Sequence, residues 1–393
     1  MADTFTERTS QSWFSKIFGS FVALLFGIVL VPVAIILLFW NEGRAVATAK
    51  SLAEGASSVI SAPADAVNAD NNLKLVHVSG NATTDEVLTD PTFGVSATAI
   101  RLGRKVEMYQ WNEVKNSSTQ KDLGGSNETT TTYSYVKKWS DDPIDSTKFK
   151  EAADHVNPTE MLASGSSLSA KDVSLGAFKL SDSVISQMST EEPLPLTDDS
   201  LGQLPDELKA TAQIANAGLY FGHDPNSPAI GDQRVSFTVV KPGPFSIVAR
   251  QNGDTFDPYS TRAGRDLLLV EPGDVAADLM FQHAESENAM LTWILRGVGT
   301  VLLFIALAMI FSPISTFASV IPFFGDILGM GTGLAAFFLS LAISLLTISF
   351  AWIVYRPLVG GLMLAVAVAV IVWARSHGQG RAKAKAGIAA PST

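Results

Sequence analysis

Residues 17–40 read IFGSFVALLFGIVLVPVAIILLFW, a run with no Asp, Glu, Lys or Arg. About 20 such residues, wound as a helix, cross a hydrocarbon core of about 30 Å. A helix also satisfies every backbone group where no water is available to do so. The apolar part of a cleaved leader is shorter, about 7–15 residues. This run ends in Phe39-Trp40-Asn41-Glu42-Gly43-Arg44, which is no small-residue cleavage site. It reads as a retained membrane anchor.

Three further runs lack charge: 297–325, 327–355 and 357–374. The chain has 393 residues, 28 basic and 38 acidic, with net charge −10 and mean hydropathy +0.24. Because none of these charges falls in the four runs, the rest of the chain has the charge density of an ordinary soluble domain. A wholly soluble enzyme is excluded. The absence of cysteine excludes disulfides, thiolate nucleophiles and Cys-ligated metal sites.

The pattern predicts an α+β membrane protein. It comprises one N-terminal transmembrane helix, a β-rich outer domain with short helices, and a C-terminal bundle of three transmembrane helices with an interfacial helix. The boundaries are 1–16 for a cytoplasmic N-terminus, 17–40 for the first span and 41–290 for the outer domain. The second span is 291–311, an amphipathic interfacial segment 312–328, the third span 331–355, the fourth 357–374 and a basic tail 375–393. In the interfacial segment, Ile314, Phe317, Ile321 and Phe324 recur at helical spacing between Pro313 and Pro322.

Orientation follows from Lys and Arg. Arg375, Arg381, Lys383 and Lys385 stand in a tail without acids, which marks it as cytoplasmic. With an even number of spans both termini are cytoplasmic. The acidic domain then lies outside, in a periplasm or, in a eukaryotic cell, a lumen. Its charge argues against nucleic acid or anionic headgroups as partners of that domain. Trp13, Trp40, Trp293, Trp352 and Trp373 sit near the ends of apolar runs, where amphipathic rings form an interface belt.

Within 41–290, residues 104–114 and 128–139 alternate in the manner of strands and predict a long hairpin. A second hairpin is expected from 233–240 and 245–251 through Pro242-Gly243-Pro244. Residues 73–79 and 266–270 read as further strands, 181–190 and 205–217 as short helices. Residues 95–111 and 234–251 share a strand, turn, strand rhythm that a duplicated module would produce. From Asp274 a helical pattern runs without Pro or Gly to Arg296.

Several strings, taken in order, resemble the transmembrane protein 43 family, also called LUMA. They are Phe39-Trp40-Asn41-Glu42-Gly43-Arg44-Ala45-Val46 and Thr48-Ala49-Lys50-Ser51-Leu52-Ala53-Glu54-Gly55; Tyr133-Ser134-Tyr135 with Trp139; Arg234-Val235-Ser236-Phe237; Ala249-Arg250-Gln251; Trp293 with Leu295-Arg296; and Tyr355-Arg356-Pro357-Leu358. The resemblance implies one N-terminal span, a large lumenal domain and a C-terminal membrane bundle. Animal members of that family are proteins of the inner nuclear membrane and endoplasmic reticulum that self-associate, and the resemblance brings no catalytic residues. The Ala-rich tail and lack of cysteine read as those of a bacterial member in the cell inner membrane, for which only self-association and membrane organisation carry over.

The five histidines, His77, His155, His223, His283 and His377, form no spaced pair of the kind metal sites use, and no cofactor is expected. Charges at the membrane edge are the better candidates: Glu42, Arg44, Arg296, Asp326 and Arg356. A charge inside hydrocarbon marks function, whereas at an edge it can snorkel to water; the second reading is favoured for all five. Gly329 with Gly333, and Gly360 with Gly361, permit close helix packing. The expected partners are the lipid bilayer, further copies of the chain and other membrane proteins. A non-enzymatic, self-associating scaffold is the leading expectation, ahead of a channel or transporter subunit using Arg296, Asp326 or Arg356, and of a membrane-anchored periplasmic hydrolase.

Overall fold

A computed structural model describes residues 4–122, 126–320, 322–358 and 361. In chain order the principal elements are β1 (Thr4–Gln11), α1 (Trp13–Ser58), β2 (Leu75–Thr83), β3 (Arg101–Lys121), β4 (Asn127–Ser140), β5 (Ala212–Ala215), β6 (Gly218–Phe221), β7 (Gln233–Val240), β8 (Gly243–Asn252), β9 (Leu269–Pro272), α2 (Ala277–Ala318) and α3 (Pro322–Tyr355). Mixed α and β content with an N-terminal apolar helix, a β-rich middle and C-terminal apolar helices is the architecture expected. Contacts divide the chain into two units. One takes the residues up to Gln11 with Ser51–Asp122 and Asn127–Glu285; the other takes Ser12–Lys50 and the residues from Ser286 on.

The β-rich unit holds two main sheets. The larger has the order β1-β4-β3-β7-β6-β5. The other is built around β8, which pairs antiparallel with β2 and with β9. Strand β7 alternates buried and exposed residues, so Val235, Phe237 and Val239 enter one core with Val76, Val78, Ile247 and Phe256 of the second sheet. Strand β8 is buried on both faces, as central strands between two layers are. Its Ile247 and Ala249 join the first core, while Val248 joins Leu52, Leu75, Leu267, Met280 and Phe281 in a second one.

The hairpin of β3 and β4 is present and longer than expected, with register running from Met108↔Ser140 to Lys121↔Asn127. Its outer half has few apolar residues. Hydroxyl pairs stand there instead, Ser117 with Thr131 at 3.0 Å and Thr119 with Thr129 at 2.9 Å.

The second expected hairpin does not form. Strand β7 belongs to the larger sheet and β8 to the other, because Pro242 and Pro244 supply no N–H and fix φ at the corner, so the chain changes sheets there. The duplicated rhythm fails for the same reason: the two segments have no common pairing pattern. Residues 266–270 split into Asp266–Leu267, paired elsewhere, and β9. The expected helices are single turns, Asp182–Ile185 and Asp206–Lys209. Residues 212–215 instead become β5, which turns into β6 through Asn216 and Ala217 at φ of 51° and 60°.

Residues 1–16 read from charge alone as a cytoplasmic terminus. In the structure 4–11 form β1, hydrogen bonded antiparallel along β4 from Thr4↔Ser134 to Gln11↔Asn127. Lys150 Nζ holds Glu7 at 2.8 Å, and the Phe5 and Tyr133 rings meet at 6.2 Å. Residues 4–11 thus count with the β-rich unit by their contacts.

Three helices are long and apolar enough to cross a membrane: Trp13–Ser58, Ala277–Ala318 and Gly325–Tyr355. Helix α2 is continuous from Ala277, as the pattern from Asp274 suggests. The segment 312–328 is not a separate helix: 312–318 complete α2, a turn follows, and 322–328 begin α3. Pro313 does not end α2 because the carbonyl it leaves unpaired, that of Met309, accepts the Ser312 hydroxyl at 2.8 Å. Pro322 occupies the first position of α3, where a missing N–H costs nothing. All but residues 357, 358 and 361 of the fourth expected span 357–374, together with the tail 375–393, lie outside the described residues.

Candidate functional site

The helical unit contains a buried polar cluster that joins three helices. Glu42 on α1 is 2% exposed. Arg296 of α2 donates from Nε to Oε1 at 2.6 Å and from Nη2 to Oε2 at 2.9 Å. Trp352 of α3 donates its indole N–H to Oε2 at 2.8 Å. Both carboxylate oxygens are thus engaged, by one guanidinium fork and one ring. The guanidinium lies 4.6 Å from the centre of the Trp293 ring and 5.9 Å from that of Trp352, a cation against two π faces.

A second layer adjoins it. Asn41, fully buried, donates to the Thr292 carbonyl at 3.1 Å. Arg44 donates to Asn288 Oδ1 and to the Thr292 hydroxyl, each at 2.9 Å. Asn288 returns a hydrogen bond to the Ala45 carbonyl at 3.1 Å. Close approach of backbones makes this possible. A Cβ on Gly43 would stand 2.7 Å from the Tyr355 ring, and one on Gly299 2.6 Å from Leu38.

The local sequence explains the geometry. Asn288, Thr292 and Arg296 are four residues apart and share one face of α2. Asn41, Glu42 and Arg44 fall within one turn of α1. The stripe at 288, 292 and 296 was a readable signal. A polar face running into an apolar span must find partners or water, yet the span boundary alone did not mark it as a site.

The candidate residues therefore separate. Glu42, Arg44 and Arg296 are brought together with Trp293 and Trp352. Asp326 and Arg356 are exposed and outside the cluster. Trp352 is a hydrogen-bond donor to a carboxylate as well as a ring near a span end. Trp293 and Trp40 are 69% and 53% exposed, and Trp13 donates to the Thr316 carbonyl at 3.3 Å. Trp373 lies outside the described residues.

Among the glycines expected to pack helices, a Cβ on Gly329 would make only an ordinary contact, 3.9 Å from Ser315, and on Gly333 or Gly361 none within 4 Å. Gly360 lies outside the described residues. Close approaches between helices are found instead at Gly27, Gly43 and Gly299, that of Gly27 against the Ala306 carbonyl, and Gly325 stands as close to Ser319 in the turn before it.

Three of the five histidines make local contacts. His77 Nε2 lies 2.9 Å from the Val275 carbonyl, His155 stacks on Tyr135 at 3.6 Å, and His283 meets Glu271 at 3.0 Å. His223 is exposed, and His377 lies outside the described residues. Among the described residues no three His, Asp or Glu stand where they could share a metal ion.

The family model described as Transmembrane protein 43 matches residues 108–357. Among curated proteins, Transmembrane protein 43 of Rattus norvegicus is 35% identical over 350 residues, covering 86% of this chain and 85% of that one. The Homo sapiens protein of the same name is 34% identical, covering 90% and 88%. The Drosophila melanogaster homolog is 29% identical, covering 86% and 90%. No solved structure matches.

Proposed function

The chain belongs to the transmembrane protein 43 family, and on that premise we propose that it is a non-enzymatic multi-pass membrane scaffold. It self-associates through its β-rich unit and organises membrane or partner proteins, with that unit on the outer, periplasmic or lumenal, face and the basic tail in the cytosol. The observation that carries this reading is the saturated Glu42–Arg296–Trp352 cluster. A carboxylate whose two oxygens are both engaged fixes three helices as one body and is a poor stepping stone for an ion. Fixed helices reduce the freedom lost when copies associate side by side.

A channel or transporter would need Arg296, Asp326 and Arg356 to face one cavity. Arg296 is committed to Glu42, and the other two are exposed. The test of the scaffold reading is particle size in mild detergent and in native membrane extracts. Assemblies larger than a monomer are expected, smaller or absent after Glu42→Ala. A monomer at every concentration would remove the proposal.

A further inference from the structure

Arg356 and Trp40 remain outside the polar cluster; Trp40 lines a groove, and Arg356 directly follows Tyr355, another of its lining residues. Helices α1 and α3 flank an open groove of about 600 Å³ lined by Ile35, Ile36, Phe39, Trp40 and, from α3, Leu346, Thr347, Phe350 and Tyr355. Its floor is aromatic: Phe39 lies 6.2 Å from Phe350 and 5.2 Å from Tyr355, ring centre to ring centre. The one hydroxyl on its α3 wall besides Tyr355, that of Thr347, is turned back to the Ile343 carbonyl at 2.8 Å.

The groove is therefore apolar along its length and carries Trp40 and Tyr355 at one end, the ring types that settle at headgroup depth. The next residue after Tyr355 is Arg356. It is exposed, its backbone N–H is spent on the Trp352 carbonyl at 2.8 Å, and its guanidinium has no partner among the described residues. An apolar slot, an interfacial aromatic pair and an unpaired cation follow one another in the order of an acyl chain, a glycerol backbone and a phosphate.

We propose that this groove binds an anionic phospholipid, one acyl chain lying against Phe39, Leu346 and Phe350 and the phosphate paired with Arg356. This is independent of self-association: it needs only the helical unit. The full-length protein is reconstituted in vesicles of equal parts phosphatidylcholine and phosphatidylglycerol, extracted in mild detergent, and its retained lipid counted by native mass spectrometry.

Phosphatidylglycerol is expected to be retained in preference. Arg356→Gln should cut that preference about fivefold, the contribution of one basic residue at an anionic surface, while Arg356→Lys keeps most of it. Leu346→Trp, which fills the slot, should expel both lipids with helix content unchanged. Equal retention of the two lipids by the unaltered chain, or a preference untouched by Arg356→Gln, overturns the proposal. So does a disulfide forming readily in membranes between Leu346→Cys and Ala365→Cys, which would show the chain's own following segment in the groove.

Discussion

At the scale of single residues, the membrane chemistry of this chain turns on Glu42. Its charge is buried among helices that also carry Arg296 and Trp352, and removing one partner of such a pair strands the other. Glu42→Ala is expected to destabilise the helical unit by about 3–5 kcal/mol, read as a fall in its melting temperature. Glu42→Met combined with Arg296→Met should cost clearly less than Glu42→Ala alone, since no charge is left unpaired; an equal or greater loss would show that the attraction itself dominates. Trp352→Phe keeps an aromatic ring, though a smaller one, and removes the N–H that Glu42 accepts. A hydrogen bond to a charged group is worth about 1.5–3 kcal/mol, so this variant should fall between the unaltered protein and Glu42→Ala in thermal stability. The same local reasoning explains why sequence alone favoured snorkelling for these charges. Proximity to a span end is visible in the sequence; the partner of Glu42, 254 positions away, is not.

At the scale of elements, strand β1 is the clearest case of structure made by a neighbour. Its sequence, TFTERTSQ, has no alternating apolar face, and its conformation is set by the free edge of β4. The chain has no cysteine, so Thr6→Cys with Thr132→Cys, directly opposed in the register, is a clean probe. A disulfide is expected in intact membranes under mild oxidation, and its absence together with opposite-side labelling of the two positions would refute the pairing.

Lys150 beside Glu7 holds that carboxyl below the usual glutamate range, and Glu7 in turn raises the Lys150 ammonium. A depressed carboxyl contributes stability above its unfolded value, about 4.5, and loses it as pH falls through the lowered folded value. Docking of β1, followed by amide exchange of Thr6 and Arg8, should thus be indifferent to pH near neutrality, weaken in acid as Glu7 takes up a proton, and weaken again in strong alkali as Lys150 loses one. By contrast β7 was legible residue for residue, because alternation against a core is a local signal. The destination of β8 was not, because a proline corner says that a ladder ends without saying which sheet comes next.

For the whole molecule, the β-rich unit depends on two cores that share β8. Phe281, buried against Leu52 and Val248 in the second, should cost about 3–5 kcal/mol when cut to Ala. The loss is expected in the denaturant midpoint of the β-rich unit, with little change in the size of assemblies at low temperature. A shift of assembly size without loss of stability would instead assign Phe281 to association.

What the amino-acid sequence determined by itself was the division of labour: apolar runs without charge must be helices in lipid, and a charged, alternating middle must bury one face of its strands in water. Those rules act over a few neighbouring residues. The tertiary structure alone decided that Glu42 meets Arg296 and Trp352, that β8 leaves its expected partner for β2 and β9, and that the first residues complete a sheet edge. Each of these joins groups distant in sequence. Their energy is realised only once the intervening chain has folded, so no local pattern records it.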